Sequence, residues 1–498
     1  MATPAGDNPL KQPLAQLSRR RLLFQAAGGF GGLALMALSA CSRRPAGESS
    51  SVAPGDAADR LGSTPGALPP PGTSRGGPAR HVIFLYMDGG PSQIDTFDPK
   101  PRLDREHGRP IQMDEVPATQ FNIGNRVLRS PYRFAQYGQS GAWVSEIFPH
   151  VAQCVDELAI VRSMVSDHSE HTAANYLLNT GWPVPGRPSI GSWLTYGLGT
   201  ESDELPGFVV LDAGQWPLGG VECLGCGFLP AAHQPTLFRQ GPEVVADLQP
   251  PEPSSALQRA KLDLVARLNR RAQQLGPHEP LEAVINNYEL AFRMQSAVPA
   301  LVDLSDETAR TEQLYGLDRP ETEVFGRQCL LARRLVERGV RFVQLLPPPL
   351  PEHNHWDQHS HLADHHRTNA EAVDRPIAGL LRDLRQRGLL DETLVIWGGE
   401  FGRTPMAQEA PQGKDGRDHN PFGFTMWLAG GGVRPGVTYG ATDDYGYFAV
   451  ENPVHIHDLH ATVLQLLGID HTELIYRYGG RDFRLTDVYG DVVQALVG

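Results

Sequence analysis

Acidic and basic side chains lie at the end of a predicted core strand. Leu394 to Trp397 is a short apolar run that stops at two glycines, which is typical of a buried strand ending in a turn. Glu400 follows that turn. A polar loop with Arg403 and His419 then leads to a second apolar run, 424–429. Because open α/β sheets bind ligands at the carboxyl ends of their strands, this stretch predicts half of an active site.

A histidine-rich tract offers metal ligands. Six of the chain's 18 histidines fall between positions 353 and 366. Asp357 lies two residues before His359 and four before His361, and this spacing suits one metal ion in either loop or helix geometry. The alternative is a solvated surface tract. We predict that Asp357 and at least one of these two histidines bind a metal ion.

Two further strand ends carry polar residues. Asp88 follows the apolar run His81 to Met87 and precedes two glycines, which let the backbone approach a ligand closely. We predict that Asp88 binds metal, and the alternative is that it caps the turn or the next helix. Further along, His171 and Thr172 lie where a strand gives way to a predicted helix. The free N–H groups there favour an oxyanion, unless an ordinary cap takes them.

Short, mostly apolar runs predict the strands that position these residues. They are 81–87, 158–164, 208–211, 341–346, 394–397 and 424–429. Predicted helices separate several of them, and this order predicts an α/β fold with a mostly parallel central sheet and helices on both faces. Within the domain predicted at 80–498, the Gly- and Pro-rich segment 212–320 is predicted to be a cap insertion over the site. His455 and His457 precede a late helix and could cap it or line the pocket.

The first residues predict export. Ser18 to Phe24 contains three consecutive arginines and resembles a twin-arginine signal. The apolar run 26–37 that follows is too short for a spanning helix, which needs roughly 20 apolar residues. The alternative is an uncleaved hydrophobic anchor.

A lipid anchor and a tether are predicted next. Leu38-Ser-Ala-Cys41 resembles a lipobox, with Cys41 as the lipidated first residue of the mature protein. The predicted signal therefore covers 1–40. Residues 41–79 are mostly Pro, Gly, Ser and Ala, which predicts a disordered tether. Together these features predict a periplasmic or cell-envelope lipoprotein.

Composition limits the class of partner. The chain is 40% hydrophobic and 20% charged, so it can bury a large core, and its net charge is −13. An acidic surface argues against nucleic acid or an anionic membrane as the main partner. An anionic substrate would therefore need a local positive site, such as a metal ion.

The order of the motifs resembles one protein family. The chain is similar to the exported bacterial proteins of domain of unknown function 1501, within the alkaline-phosphatase/sulfatase superfamily, over nearly everything from 81 to 490. The resemblance rests on the strand ending in Asp88, the junction at 165–172, Trp356-Asp357-x-His359, Gly399-Glu400-Phe-Gly-Arg403-Thr-Pro405 and Gly416-Arg-Asp418-His419. It implies an alkaline-phosphatase-like fold.

The resemblance also implies a metal site and a nucleophile. The metal would be zinc, calcium or magnesium, and its implied ligands are Asp88, Asp357, His359 or His361, Glu400 and His419. Thr172 stands at the nucleophile's place, with His171 facing the same pocket. Phe401 stands where phosphatases have a metal-binding histidine, and the motif that yields formylglycine in sulfatases is absent.

Together these features predict an exported, metal-dependent hydrolase of phosphate or sulfate esters. Its substrate would be a small anionic ester or a sulfated or phosphorylated glycan. The metal would polarise the ester oxygen, Thr172 or a water molecule would attack, and Arg403 would stabilise the charge of the transition state. The alternative is a binding or scaffold protein that kept the fold and lost the nucleophile. If the hydrolase prediction is right, the site residues must converge at one edge of the sheet.

Overall fold

The computed structural model describes most of the chain after residue 75. The described residues are 76–114, 116–117, 124–273, 279–349, 355–410 and 413–498. The predicted signal at 1–40, Cys41 and nearly all of the predicted tether lie outside them. Ala79 is buried, and its N–H donates to the carbonyl of Leu466 (3.1 Å), so the folded body begins slightly before the predicted boundary at 80. No helix in the described ranges is long and apolar enough to cross a membrane.

One central sheet of nine strands organises the fold. The strands are β1 His81–Tyr86, β2 Leu158–Val165, β3 Phe208–Asp212, β4 Thr236–Arg239, β5 Phe342–Leu345, β6 Thr393–Gly398, β7 Phe424–Ala429, β8 Val437–Tyr439 and β9 Val454–His455. All six runs predicted as strands are confirmed. The other three strands are short, and their exposure follows no clear alternation.

The sheet is mixed and mostly parallel, as predicted. Its order is β8-β2-β7-β6-β1-β5-β3-β4, and β9 pairs with β2 beyond the end of β8. The strand β7 runs antiparallel to both of its neighbours, and the other described pairings in this sheet are parallel. The carboxyl ends of β1, β5 and β6, which lie side by side, therefore meet at one edge.

Alternate residues of the buried strands enter two separate hydrophobic cores. In β1, Ile83 and Leu85 pack into one core, while Val82 and Phe84 pack into the other. The period of two in a strand forces this division, because successive side chains point to opposite faces. Since both faces are covered, the strands read as continuous apolar runs.

Helices cover both faces, which confirms the predicted layers. In chain order they are α1 Gln93–Thr96, α2 Pro101–Glu106, α3 His171–Thr180, α4 Ile190–Leu198, α5 Ser255–Gln273, α6 Glu279–Val302, α7 Ala309–Leu314, α8 Pro320–Glu337, α9 Leu362–Gln386 and α10 Ile456–Leu466. Helices α8 and α9 pack on one face of the sheet, and α3, α4 and α10 pack on the other.

Short two-stranded antiparallel ribbons lie outside the central sheet. They pair Phe134–Tyr137 with Ala142–Ser145, Gly402–Arg403 with His419–Asn420, Gln408–Ala410 with Gly413–Gly416, Ala441–Thr442 with Ala449–Glu451, and Tyr476–Tyr478 with Arg481–Phe483. The ribbon that sets Arg403 opposite His419 matters most for the site. It folds the polar loop between β6 and β7 back over the edge of the sheet.

The segment 212–320 contributes to the sheet as well as to its surroundings. It supplies the edge strand β4, which the sequence did not predict, and the helices α5 and α6. Met294 and Val298 of α6 are buried in the same core as α8. Its role as a cap over the site stays a prediction.

Candidate metal centre

The ends of the central strands bring the predicted polar residues together. Asp88 follows β1, Asp357 lies in the loop after β5, and Glu400 follows β6. Gly89 lets the first two loops touch: its φ is +100°, and a Cβ there would lie 2.7 Å from the amide nitrogen of Asp357. The N–H of Trp356 donates to the carbonyl of Asp88 (3.1 Å). The glycine pair is thus required by the close approach of two backbones.

Four side chains form a compact donor cluster. They are His171, Asp357, His359 and His419, whose candidate ligand atoms all lie within 4.8 Å of one another. The Oδ1 atom of Asp357 is 2.7 Å from His359 Nε2 and 3.2 Å from His419 Nε2. His171 Nε2 also lies 3.2 Å from this oxygen. The Nε2 atoms of three imidazoles therefore converge on one carboxylate oxygen.

The opposite nitrogen of each imidazole is held by an oxygen acceptor. His171 Nδ1 lies 2.7 Å from Glu400 Oε1, and His419 Nδ1 lies 2.6 Å from the carbonyl of Ser169. His359 Nδ1 hydrogen-bonds the amide oxygen of Gln408. An acceptor at Nδ1 fixes the proton there and leaves the Nε2 lone pair for a metal ion. The three acceptors therefore favour the ring orientation that a metal-binding imidazole requires.

A guanidinium stabilises the central carboxylate. Arg403 Nη2 donates to Asp357 Oδ1 (2.7 Å) and to the carbonyl of Gly89, while Nε and Nη1 donate to the carbonyls of Gly90 and Arg417. Burial alone would raise the pKa of Asp357, but Arg403 and the three imidazoles hold that pKa well below its usual range. Asp357 is therefore ionised near neutral pH.

The imidazoles differ in their affinity for a proton. Although burial opposes it, contact with Asp357 and Glu400 raises the pKa of His171 to about 9. Burial and the charge of Arg403 lower the pKa of His419 to about 3. In the absence of a cation, His171 thus holds the positive charge that faces the carboxylates, and metal binding would displace its proton.

A second, deeper group of polar residues lies behind His171. Glu400 is completely buried and accepts from the N–H of Gly89 (3.1 Å) and from the hydroxyl of Tyr86 (3.2 Å). The same hydroxyl lies 3.3 Å from Asp88 Oδ1. Burial and the neighbouring Glu400 raise the pKa of Asp88 to about 8. Near neutral pH, Asp88 and Glu400 together therefore carry fewer than two negative charges.

His355 adjoins this deeper group. Its Nδ1 atom lies 4.0 Å from Asp88 Oδ2, and both of its ring nitrogens are buried without a hydrogen-bond partner. Burial lowers the pKa of His355 to about 4. The neutral ring near Asp88 and Glu400 therefore has one donor and one acceptor that are both unsatisfied. A small cation or a water molecule fits at such a position.

Two predicted site residues lie apart from the cluster. His361 is exposed, and its N–H donates to Asp415 (3.0 Å) at the residue before helix α9 begins. Thr172 is also exposed, on the first turn of helix α3. The structure brings His359 into the cluster and leaves His361 outside it, and the nucleophile role of Thr172 stays a prediction.

The predicted oxyanion site at the start of α3 is occupied by the chain itself. The side chain of Glu170 accepts from the N–H groups of Thr172 (3.0 Å) and Ala173 (3.1 Å). The residue that caps the helix is therefore Glu170, so the ordinary cap that the sequence left open is present. An anionic ligand would reach these N–H groups only by displacing a carboxylate.

Arg403 is placed behind Asp357 rather than in an open pocket. Its side chain is completely buried, and its hydrogen bonds go to the backbone and to Asp357. Direct contact with a substrate stays a prediction that this geometry does not favour. A second arginine of the same loop, Arg417, pairs with the buried Asp95 of α1 (2.7 Å) and holds the loop down.

Phe401 forms one wall of the cluster. Its ring centroid lies 4.5 Å from that of His419 and 4.9 Å from that of His171. An apolar ring there cannot bind a metal ion, but it fixes both imidazoles and excludes water from one side. The sequence reasoning missed this packing and the second-layer acceptors, of which Gln408 carries no recognisable motif.

The donor set fits a metal ion. Three imidazole nitrogens and one carboxylate oxygen are ligands that zinc and similar transition ions prefer, whereas calcium and magnesium prefer oxygen. His171 Nε2 is buried and makes no regular hydrogen bond, as expected of a ligand atom without its ion. The imidazoles of His359 and His419 are held through Nδ1 as His171 is. The residues present therefore suit the metal ion that the sequence predicts.

A family model matches most of the chain. The model described as "Protein of unknown function (DUF1501)" matches residues 79–497. Among curated proteins, none matches the sequence. The matched range contains each of the four cluster residues and the whole central sheet.

Solved structures with a similar arrangement have low identity to the chain. The sulfatase PsFucS1 from a Pseudoalteromonas species is 14% identical, with a TM-score of 0.32 over 82% of this chain and 75% of that chain. A TAB5 alkaline phosphatase variant with bound magnesium is 11% identical, with a TM-score of 0.33 over 79% and 99%. The lipoteichoic acid synthase LtaP from Listeria monocytogenes is 10% identical, with a TM-score of 0.31 over 85% and 78%. Structural similarity with TM-scores this low does not indicate the activity of the chain.

Proposed function

The chain belongs to the DUF1501 family of proteins of unknown function, and we propose that it is a metal-dependent hydrolase of phosphate or sulfate esters. One observation carries the proposal. Three histidines have Nδ1 held by an acceptor and Nε2 directed at the carboxylate of Asp357. This arrangement gathers three imidazole nitrogens and one carboxylate oxygen around a single point, which is the donor set that a divalent cation requires.

The chain's own residues hold and orient a cation in this proposal. His171, His359, His419 and Asp357 are its ligands, and a divalent ion bound there would supply Lewis-acid polarisation of an ester oxygen. Arg403 keeps Asp357 ionised and in place. Glu400 retains the proton on His171 Nδ1 and raises the basicity of that ring.

The attacking group is Thr172 or a water molecule. Thr172 is exposed and directly follows the cluster residue His171 at the start of helix α3, and the proposal requires a bound substrate to reach its hydroxyl. Glu170 holds the first turn of the helix and thereby fixes Thr172. Because Arg403 is completely buried, the cation would provide most of the attraction for an anionic ester.

Turnover of chromogenic esters tests the activity. Purified protein would be assayed with aryl phosphates and aryl sulfates after loading with zinc, manganese, magnesium or calcium. We expect hydrolysis with zinc or manganese, at a rate that His359→Ala reduces at least about a hundredfold and His361→Ala leaves near the wild-type value. The second variant is a matched control, because it removes an exposed histidine of the same tract. Hydrolysis equal in the two variants, or none with the metal bound, contradicts the proposal.

A binding or scaffold protein is the second candidate function. Two observations favour it: Phe401 packs where a further ligand would be needed, and Glu170 fills the helix start. This candidate also needs the metal cluster, but it predicts stoichiometric metal binding without turnover. Turnover by the metal-loaded protein separates the two candidates, and a Thr172→Ala variant then shows whether Thr172 or a water molecule attacks.

A further inference from the structure

A second cavity lies beside the candidate metal centre. Its volume is about 680 Å³, and it is bounded by the C-terminal end of helix α3, the start of α10 and the residues 488–491. Asp167 lies on its wall four residues before His171, and the intervening Ser169 carbonyl holds His419. Gly181 follows the other end of α3 and also lines the cavity. Since ten helical residues span about 15 Å, the cavity extends from near the cluster to well beyond it.

The loop 487–491 is held in a strained shape that exposes two apolar residues. Asp487 has a φ of +51°, in the left-handed region that a non-glycine residue rarely adopts. Arg187 pairs with its carboxylate (3.1 Å), and both side chains are nearly buried. Val488 and Tyr489 remain 68% and 59% exposed. Strain that the surroundings enforce is typical of binding sites, and here it presents Tyr489 to solvent.

Two aromatic rings on the cavity wall are fixed from behind. The guanidinium of Arg187 lies 3.9 Å from the centre of the Trp182 ring. Tyr489 stacks on His457, with ring centroids 5.2 Å apart and planes 18° apart. Rigid aromatic rings of this kind provide flat apolar contact area at low cost in conformational entropy.

The polar groups on the wall are acceptors without cations among them. His457 Nε2 donates to the carbonyl of Gly181 (2.9 Å), so its Nδ1 is an acceptor, and that atom is buried without a hydrogen-bond partner. The carboxylate of Asp491 lines the same space. Asp167 is engaged by His455 (3.2 Å). None of the described residues that line the cavity is lysine or arginine.

We propose that this cavity binds an uncharged sugar ring of a glycan. A pyranose offers an apolar C–H face for Tyr489 and Trp182 and hydroxyl donors for the carboxylate of Asp491, whereas a sulfated ring would meet carboxylates. The inference extends the proposed function, because the ester of the same glycan would lie at the metal cluster. Binding of an uncharged sugar requires neither the metal nor turnover, however, and can be measured without them.

Calorimetric titration of the full chain with neutral tetrasaccharides tests the proposal. The panel comprises β-1,4-glucan, β-1,3-glucan, α-1,4-glucan and β-1,4-mannan fragments, titrated with a chelator present. We expect at least one to bind and Tyr489→Ala to weaken that binding about tenfold or more, as loss of an aromatic contact does. Tyr288→Ala is the matched control, since Tyr288 is 49% exposed on helix α6 and does not line the cavity.

The outcomes are distinct. Binding by none of the panel overturns the proposal, and so does equal binding by the two tyrosine variants. Binding of a glucosamine tetramer alone overturns it as well, because the cavity would then select a cation. Failure of the metal cluster to bind metal leaves these results unaffected. Conversely, ester hydrolysis by a protein that binds no neutral sugar refutes only the cavity.

Discussion

Glu400 is expected to act through His171 rather than by binding metal directly. It accepts from His171 Nδ1, the N–H of Gly89 and the hydroxyl of Tyr86, so its oxygens are engaged. We predict that Glu400→Gln lowers metal affinity about 10–100-fold, the effect typical of a residue that orients a ligand. Competition with a chromogenic chelator measures this change.

The control for this prediction is an acidic residue away from the cluster. Glu451→Gln changes the same functional group at an exposed position and should leave the affinity unaltered. If Glu400→Gln abolishes binding altogether, Glu400 is itself a ligand, as the sequence alone suggested. An unchanged affinity would mean that Glu400 does not orient His171.

The choice between His359 and His361 shows what the sequence could not decide. Both spacings from Asp357 suit a metal ion, and the i, i+4 argument requires that Asp357 and His361 share a helix. Helix α9 begins only at Leu362, and His361 precedes it with a φ of +53°. Because the helix begins five residues after Asp357, Asp357 and His361 share no helical face, and the loop before the helix selects the ligand.

Elements were predictable where burial was complete. Five of the six strands predicted from apolar runs, such as β1 and β6, are buried throughout, and β2 is buried except at Arg162 and Val165, so their sequences carry a strong signal. The edge strand β4 is mostly half-exposed or exposed, and its four residues contain no such pattern. Its pairing with β3 depends on tertiary contacts, which a local pattern does not reveal.

A buried carboxylate links two elements and makes stability depend on pH. Asp374 of α9 accepts from the N–H groups of His150 (2.8 Å) and Val151 (2.7 Å) at the start of the 3₁₀ helix Val151–Glu157. Burial raises the pKa of Asp374 to about 7. Because the folded pKa exceeds the unfolded one, this residue's contribution is complete below about pH 4 and is lost as pH rises through 7.

Denaturant unfolding at several pH values measures the contribution of Asp374. The free energy of unfolding should fall with rising pH by at most about 1.4 kcal/mol per pH unit between pH 4 and 7. Asp374→Asn should flatten this pH dependence, whatever its effect on absolute stability. Asp364→Asn, at an exposed position of the same helix, should leave the slope unchanged. If the pH dependence is the same in Asp374→Asn as in the wild type, a group other than Asp374 is responsible for it.

At the scale of the whole molecule, the acidic chain is proposed to work outside the cytoplasm on a lipid tether. This rests on the arginines after Ser18 and the lipobox ending at Cys41. We predict that Cys41→Ser moves the protein from the membrane fraction to the soluble periplasmic fraction, because a single residue carries the lipid. Cell fractionation measures the change, with Cys154→Ser as the control. Retention of the Cys41→Ser variant in the membrane supports the uncleaved anchor instead.

The metal content of the purified protein tests the central claim most directly. Protein isolated without added metal would be analysed by elemental mass spectrometry and then titrated with zinc after chelation. We predict about one tightly bound zinc per chain in wild type and His361→Ala, and loss of that ion in His359→Ala and His419→Ala. Wild-type protein that binds no divalent ion, or His359→Ala and His419→Ala variants that bind as wild type does, would contradict the account.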